Sequence, residues 1–298
     1  MTPLHGGYPA LEMQHVLQSA CARVGLDSTD AILLRGHTNA VFRLVQQPVV
    51  VKIARRGSSL AEVARTVRFV QWLMKQGFPT APLHPVADQP VVVDGHGVTF
   101  WTYLPQPDHP VSAAQIASPL RALHSLPAPP FPIRPLDNVA AIRSSLGAAD
   151  SLSPETHRFL SARLDHLEDA LKSVKFQLSE GLLQGDPQHR NALHHGHHAV
   201  LCDWDTVVRG NAEWDLVTIE IHCRRFGYGY RHYRDFVDAY GYDVTDWEHY
   251  PVLRDLRELR MITTNARKIA FAPDTAEEVN RRIKGLLNED TSLQWKIL

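Results

Sequence analysis

The sequence predicts an α+β protein of two lobes: a small N-terminal lobe rich in β-strands with a helix, and a larger, mainly helical C-terminal lobe. Three features predict this. Short β-branched runs (Val41 to Val45, Val49 to Ile53, Val91 to Val93 and Val98 to Tyr103) crowd the first hundred residues. From Ser112 onward the apolar spacing is almost wholly helical. Between them lies Pro105-Gln106-Pro107-Asp108, a Pro-broken segment suited to a boundary, so the expected lobes are residues 1–104 and 105–298. A chain of 298 residues is long enough to bury two separate cores.

Leu11 to Val24 carries Leu11, Met13, Val16, Leu17, Ala20, Cys21 and Val24 close to helical spacing. Ala31 to Leu34, Val41 to Val45 and Val49 to Ile53 follow as short strands. In the third, period-two alternation places Val50 and Lys52 on one face and Val51 and Ile53 on the other. A Lys among β-branched residues either faces solvent or needs a partner, because a buried ammonium is costly alone. Ser59 to Gln76 is a helix with Ser59 as N-cap, Gly77 as its stop, and Leu60, Val63, Val67, Val70, Leu73 and Met74 on one stripe. Glu62 lies in its first turn, where the helix dipole favours an acid in any case. Val91 to Val93 and Val98 to Tyr103 form a hairpin turning at Asp94-Gly95-His96-Gly97. Further on, one helix closes at Leu120 to Leu126 before a Pro-rich crossing, Pro127 to Pro135, and another runs near Pro154 to Phe176. Three or four amphipathic helices fill the remainder.

The segment most specific for chemistry is Leu183-Gln184-Gly185-Asp186-Pro187-Gln188-His189-Arg190-Asn191, followed a dozen residues later by Cys202-Asp203-Trp204-Asp205. An Asp on a tight loop can accept or orient a hydroxyl proton. The Asn five residues on can turn its carbonyl oxygen to a cation, and the Asp after the apolar run Ala199-Val200-Leu201 can offer a carboxylate to the same cation. Hard oxygen donors of this kind suit Mg²⁺.

This arrangement resembles the catalytic loop and metal-binding Asp of the aminoglycoside phosphotransferase and choline kinase families, small-molecule relatives of the protein kinases. Their loop reads His-Gly-Asp-x-x-x-x-Asn, and their next strand ends in Asp-x-Asp or Asp-x-Glu. The resemblance implies a protein-kinase-like fold, Asp186 as the catalytic residue, and Asn191 and Asp203 as Mg²⁺ ligands. It implies that Lys52, paired with Glu62, holds the nucleotide phosphates, and that the turn Arg35 to Ala40, with Gly36 and Thr38, lies over them. Thr102, Tyr103 and Leu104 then fall where backbone groups meet the adenine edge of ATP or GTP. Gln184 stands in place of the family's His. Asn211-Ala212-Glu213-Trp214-Asp215-Leu216 resembles the segment that buttresses the loop, with Asp215 accepting backbone N–H bonds; Glu213 fits no family position, and the role of Asp205 is open. His124, near the end of its helix, reads as a packed, hydrogen-bonded histidine.

The expected activity is therefore ATP-dependent O-phosphorylation of a small hydroxylated molecule, possible acceptors being an aminoglycoside-like or other antibiotic or a choline-like amino alcohol. A nucleotide-binding pseudokinase is the rival, supported by Gln184 and by the single glycine in residues 35–40. Asp235, Asp238, Asp243, Asp246 and Glu248, with Tyr228 and Tyr230 around Gly227 and Gly229, are candidates to bind a cationic or ring-bearing acceptor. The histidines between His189 and His198 lack a Cys or acid at zinc spacing and read as turn residues.

Lys and Arg total 31 against 32 Asp and Glu, a balance that argues against nucleic acid as partner. There is neither a signal-peptide start nor an apolar run of membrane-spanning length. The three cysteines, Cys21, Cys202 and Cys223, are irregularly spaced and read as small hydrophobes in a reducing compartment. A cytoplasmic monomer or homodimer is expected.

Overall fold

The computed structural model describes residues 10–36, 39–55, 57–270 and 272–298. They form the bilobal α+β architecture expected, with a β-rich N-terminal part and a larger helical C-terminal part. The chain groups into two units. One runs to Val111 and takes in Ala192–Asp205; the other comprises Ser112–Asn191 and Thr206–Leu298.

The first unit opens with α1 (Ala10–Arg23) and continues through β1 (Ile32–Arg35), β2 (Ala40–Arg43), β3 (Val49–Ile53), α2 (Leu60–Lys75), β4 (Val91–Val93) and β5 (His96–Thr102). The strands form one antiparallel sheet in the order β1-β2-β3-β5-β4. The β4–β5 turn is tighter than the sequence suggests. It uses only Asp94 and Gly95, both at positive φ (48° and 81°), the pairing that matches the twist of a two-residue hairpin. Val49, Val51 and Ile53 are fully buried and pack with Met13, Val16, Leu17, Ala20 and Cys21 of α1. This apolar layer fixes the register of β3 and sends Lys52 to the opposite face. There α2 packs on β5, with Val63 against Gly97, where an added Cβ would lie 3.2 Å away.

The second unit begins with α3 (Ala113–His124), whose Ser112 and Gln115 form a reciprocal capping box. Next come α4 (Asn138–Gly147), which the sequence reading did not separate, and α5 (Pro154–Leu171), which stops short of Phe176. β6 (Glu180–Leu183) leads into the candidate loop. The hairpin β7 (Ala192–His195) and β8 (His198–Leu201) returns to the first unit, where Leu201 exchanges backbone bonds with Pro79 and Ala81. β9 (Val208–Asn211) pairs with β6, and α6 (Glu213–Arg225), α7 (Tyr230–Tyr240), α8 (Tyr250–Ala266) and α9 (Ala276–Leu287) complete the chain. α3 packs on α7, and α4, α5, α6 and α9 all meet α8. No helix among the described residues is long and apolar enough to cross a membrane.

α6 is buried along nearly its whole length, and His222 on it stacks on Phe226 at 4.7 Å. Burial, helped by the nearby charges of Arg257, Arg282 and Arg190, lowers the His222 pKa to about 3. The unfolded chain takes up this proton near pH 6.5 and the folded protein does not, so stability falls as pH drops below 6.5, by about 1.4 kcal/mol per pH unit. Urea unfolding should show His222 costing the protein about 2 kcal/mol between pH 6.5 and 5. His222→Phe should flatten that slope, and equal pH slopes in both proteins would contradict the assignment.

Candidate active site

In the first unit Asp203, one of the expected site residues, meets Lys52, and Asp205 joins it. The Lys52 side chain is 17% exposed, and its ammonium donates to Asp203 Oδ1 at 2.8 Å and to Asp205 Oδ2 at 2.6 Å. Burial alone would lower the Lys52 pKa, but the two carboxylates overcome it and the pKa is raised. The same ammonium holds Asp203 below the ordinary carboxylate range. Asp203 sits at φ 57°, left-handed backbone that Asp tolerates better than most residues, and this turn presents both carboxylates to one cation. Asp205 also accepts from Thr66 Oγ1 of α2 at 3.3 Å and from Asn39 Nδ2 at 3.4 Å. Trp204, between the acids, is fully buried against Phe69 and Phe78 and donates to Thr80 Oγ1. The turn is thereby anchored from below while its acids face Lys52.

One expectation is corrected here. The carboxylates on Lys52 are Asp203 and Asp205, not Glu62, which accepts from Arg65 Nη1 at 2.7 Å. Three residues apart on one helix, Glu62 and Arg65 are surface neighbours, and the Glu62 side chain is 45% exposed. The backbone N–H groups of Thr102 and Tyr103 donate to Pro82 and Pro48, while Leu104 O accepts from Gln106. Arg43 lies 4.2 Å over the Tyr103 ring. Gly36 follows β1 and is half-buried; Thr38 lies outside the described residues.

In the second unit, Asp186 lies on a loop fixed from several sides. Asp215, fully buried, accepts from the Gln184 N–H at 2.8 Å and the Gly185 N–H at 2.9 Å, as expected of the buttress. His124 bridges Asp215 Oδ2 and Tyr240 OH, the packed role expected of it. Gln184 is fully buried, and its Oε1 accepts the Asp186 N–H at 2.7 Å, so this side chain shapes the loop. Gly185 has φ 84°, and a Cβ there would lie 2.3 Å from Thr206 O. Asn191 Nδ2 donates to Asp186 O at 2.8 Å, which closes the loop and directs the amide oxygen away from that carbonyl. Glu213, unplaced by the sequence, is fully buried and accepts the Gln177 and Leu178 N–H groups ahead of β6.

The carboxylate of Asp186 has two side-chain donors, Arg257 Nη2 on Oδ1 and Gln188 Nε2 on Oδ2 at 2.8 Å. Neither was picked out from sequence, and nor were Asn39 and Thr66. A signal for Arg257 exists: it falls with Leu253, Leu256 and Arg260 on the stripe of α8 that apolar periodicity assigns to the interior.

In the acidic and aromatic stretch after Tyr228 one acid is engaged in the packing, while Asp235, Asp238, Asp246 and Glu248 are exposed. Asp243 accepts from Tyr233, Arg234 and Thr245. Tyr228 stacks on His189 at 4.0 Å and 7°, and Tyr233, Phe236 and Tyr240 are buried. No cluster of three or more metal-binding side chains occurs among the described residues.

Gly185→Ala combines a positive φ with a clash against backbone, and should cost about 2–3 kcal/mol. Urea unfolding measures this; a loss below about 0.5 kcal/mol would show that the loop is not held against Thr206 as described.

Solved structures share this architecture. An amicoumacin kinase in complex with AMP-PNP and Ca²⁺ aligns with a TM-score of 0.72 at 13% identity, covering 95% of each chain. A choline/ethanolamine kinase family protein from Mesorhizobium loti aligns at 0.67 and 18% identity, covering 93% of this chain and 92% of that one. A spectinomycin phosphotransferase bound to AMP gives 0.66 and 14%, covering 92% and 95%. At these identities the shared feature is the fold. No curated protein sequence matches the chain. Residues 31–256, three quarters of the chain, match the family model described as the phosphotransferase enzyme family, and the chain belongs to that family.

Proposed function

We propose that the protein transfers the γ-phosphoryl group of ATP or GTP to a hydroxyl of a small molecule, with Mg²⁺ as cofactor. The observation that carries this reading is the buried Lys52 ammonium on the two acids of the Asp203-Trp204-Asp205 turn. A buried cation on the strand face, fixed beside a carboxylate suited to a metal, is what nucleotide phosphates require. Lys52 binds the phosphates, with its position set by Asp203 and Asp205. The chain after β1, at Gly36, covers the phosphates, and the segment Thr102 to Leu104 meets the base. With the N–H groups of Thr102 and Tyr103 engaged, carbonyl oxygens and the Leu104 N–H are the groups assigned to the adenine edge.

The Asp203 carboxylate and the Asn191 amide oxygen are hard donors that fit Mg²⁺, which prefers a few protein oxygens and completes its shell with phosphate and water. When bound, the ion supplies neutralisation of charge on the phosphate oxygens. The remaining chemistry belongs to the chain. Asp186 accepts the hydrogen bond of the acceptor hydroxyl, aims its oxygen at the γ-phosphorus and takes the proton late, as the new O–P bond forms. The bond from phosphorus to the bridging β–γ oxygen breaks, and the nucleoside diphosphate departs. That Gln184 organises the loop through the Asp186 N–H supports this reading over a pseudokinase one.

Asp186→Asn keeps the shape of the side chain and removes its basicity. Turnover should fall by about 10²–10⁴-fold, while affinity for Mg²⁺ and nucleotide stays within about threefold. Steady-state kinetics with an accepted acceptor, beside calorimetry, measures both. Near-normal turnover in the variant would remove Asp186 from the reaction.

A further inference from the structure

Two arginines one helical turn apart, Arg257 and Arg260, stand beside Asp186 on α8. Both guanidinium groups rest on the Trp214 ring, at 5.3 and 5.5 Å from its centroid, and the Trp214 indole N–H is itself tied to Gly185 O of the loop at 3.2 Å. Arg257, with its side chain 6% exposed, donates to Asp186, and among the described residues its buried Nε–H has no hydrogen-bond partner. Arg260 is half-buried and donates to the neutral Asn138 amide oxygen at 2.5 Å. Burial and repulsion from Arg257, Arg134 and Arg267 push the Arg260 pKa down to about 10, and Asp186 pulls the other way. Two guanidinium groups are thus built onto one aromatic platform, and the carboxylate that offsets them is the one the reaction uses.

This balance decides between acceptor classes. When a hydroxyl occupies Asp186, Arg257 gives up part of its hold on that carboxylate. An ammonium on the acceptor would then add a third cation beside two that already repel. An anionic group would restore the neutral balance, and the planar fork of a guanidinium suits a carboxylate or a phosphate. In the acidic stretch Asp243 is committed to Tyr233, Arg234 and Thr245, Arg234 also lies 3.7 Å from Asp238, and Asp235, Asp246 and Glu248 are exposed, where solvent screens their charge. We propose that the acceptor is an anionic alcohol, a hydroxy acid or a phosphorylated polyol, whose anionic group is bound by Arg257 and Arg260 while its hydroxyl is held by Asp186. This rests on the phosphotransferase reading above and narrows its acceptor to one charge class.

The test uses the full chain with Mg²⁺·ATP and matched acceptors. On a three-carbon skeleton these are glycerate, glycerol 3-phosphate, 3-amino-1,2-propanediol and glycerol; on six carbons, gluconate, glucitol 6-phosphate, 1-amino-1-deoxyglucitol and glucitol. ADP formation above the acceptor-free rate is expected only with the anionic members, and the carboxylate and phosphate arms tell those two sources apart. Arg260→Gln, which can still bond Asn138, should raise the KM for the anionic acceptor at least tenfold and leave the KM for ATP unchanged. Turnover with amine or neutral members alone, or an unchanged acceptor KM in Arg260→Gln, overturns the proposal. Where none of these compounds turns over, the melting temperature of the Mg²⁺·AMP-PNP complex decides. A rise with the anionic members, lost in Arg260→Gln, supports the anion site; no rise overturns it while nucleotide binding still stands. Failure to bind Mg²⁺·AMP-PNP at all would instead overturn the phosphotransferase reading.

Discussion

The constraint on which the first unit depends is the burial of one ammonium. Lys52 lies on a strand whose other face is packed solid, so its side chain is committed to the opposite face. An ammonium there is tolerable only with carboxylates at hand. They come from 151 and 153 residues further along the chain, on the turn after β8. Several features follow from meeting that need. The β7–β8 hairpin bonds to the segment from Pro79 to Ala81, Trp204 is driven into the core beside Phe69, and Asp203 accepts left-handed backbone. Thr66 and Asn39 then draw α2 and the start of β2 to the same carboxylate. The result is a cation whose position is fixed by the fold itself.

The second unit solves a different problem, that of holding a loop with few repeating backbone bonds. Asp215 accepts its N–H groups, Gln184 folds back on Asp186, and Gly185 permits an approach to Thr206 that no side chain could survive. These contacts converge on the backbone around Asp186, whereas Arg257 and Gln188 address its carboxylate directly. The loop and the guanidinium pair share one support, the Trp214 ring and its indole N–H. Geometry and charge at Asp186 are therefore set by the same packing, and a change at Trp214 would disturb both.

Much of this was legible in the sequence, for identifiable reasons. Alternation in Val49 to Ile53 gave the facing of Lys52 because one buried face imposes a strict period. The spacing of Asp186, Asn191 and Asp203 stood out because it matches the loop and strand pattern of the family that the chain resembles. Asp215 was readable as a buttress from the resemblance of Asn211 to Leu216 to the family's buttressing segment, and His124 from its place at a helix end. Glu62 bonds Arg65 three residues on while Asp203 and Asp205 hold Lys52, a choice between local and distant partners of which sequence order carries no record. β6 and β9 escaped notice because four residues such as Glu180-Gly181-Leu182-Leu183 hold too little pattern, and their pairing spans the whole loop and hairpin. Arg257 was passed over because an arginine on an amphipathic helix ordinarily marks the solvated face; here it sits on the apolar stripe and is paid for by Asp186 and Trp214.

The central claim is that Lys52 and Asp203 form a nucleotide and metal site and not simply a structural ion pair. Titration of Mg²⁺·AMP-PNP by calorimetry into the native protein, Lys52→Met and Asp203→Asn addresses it directly, with thermal melting to verify that each variant is folded. The account predicts binding to the native protein and at least a tenfold loss of affinity in each folded variant. Equal affinity in all three proteins would contradict it.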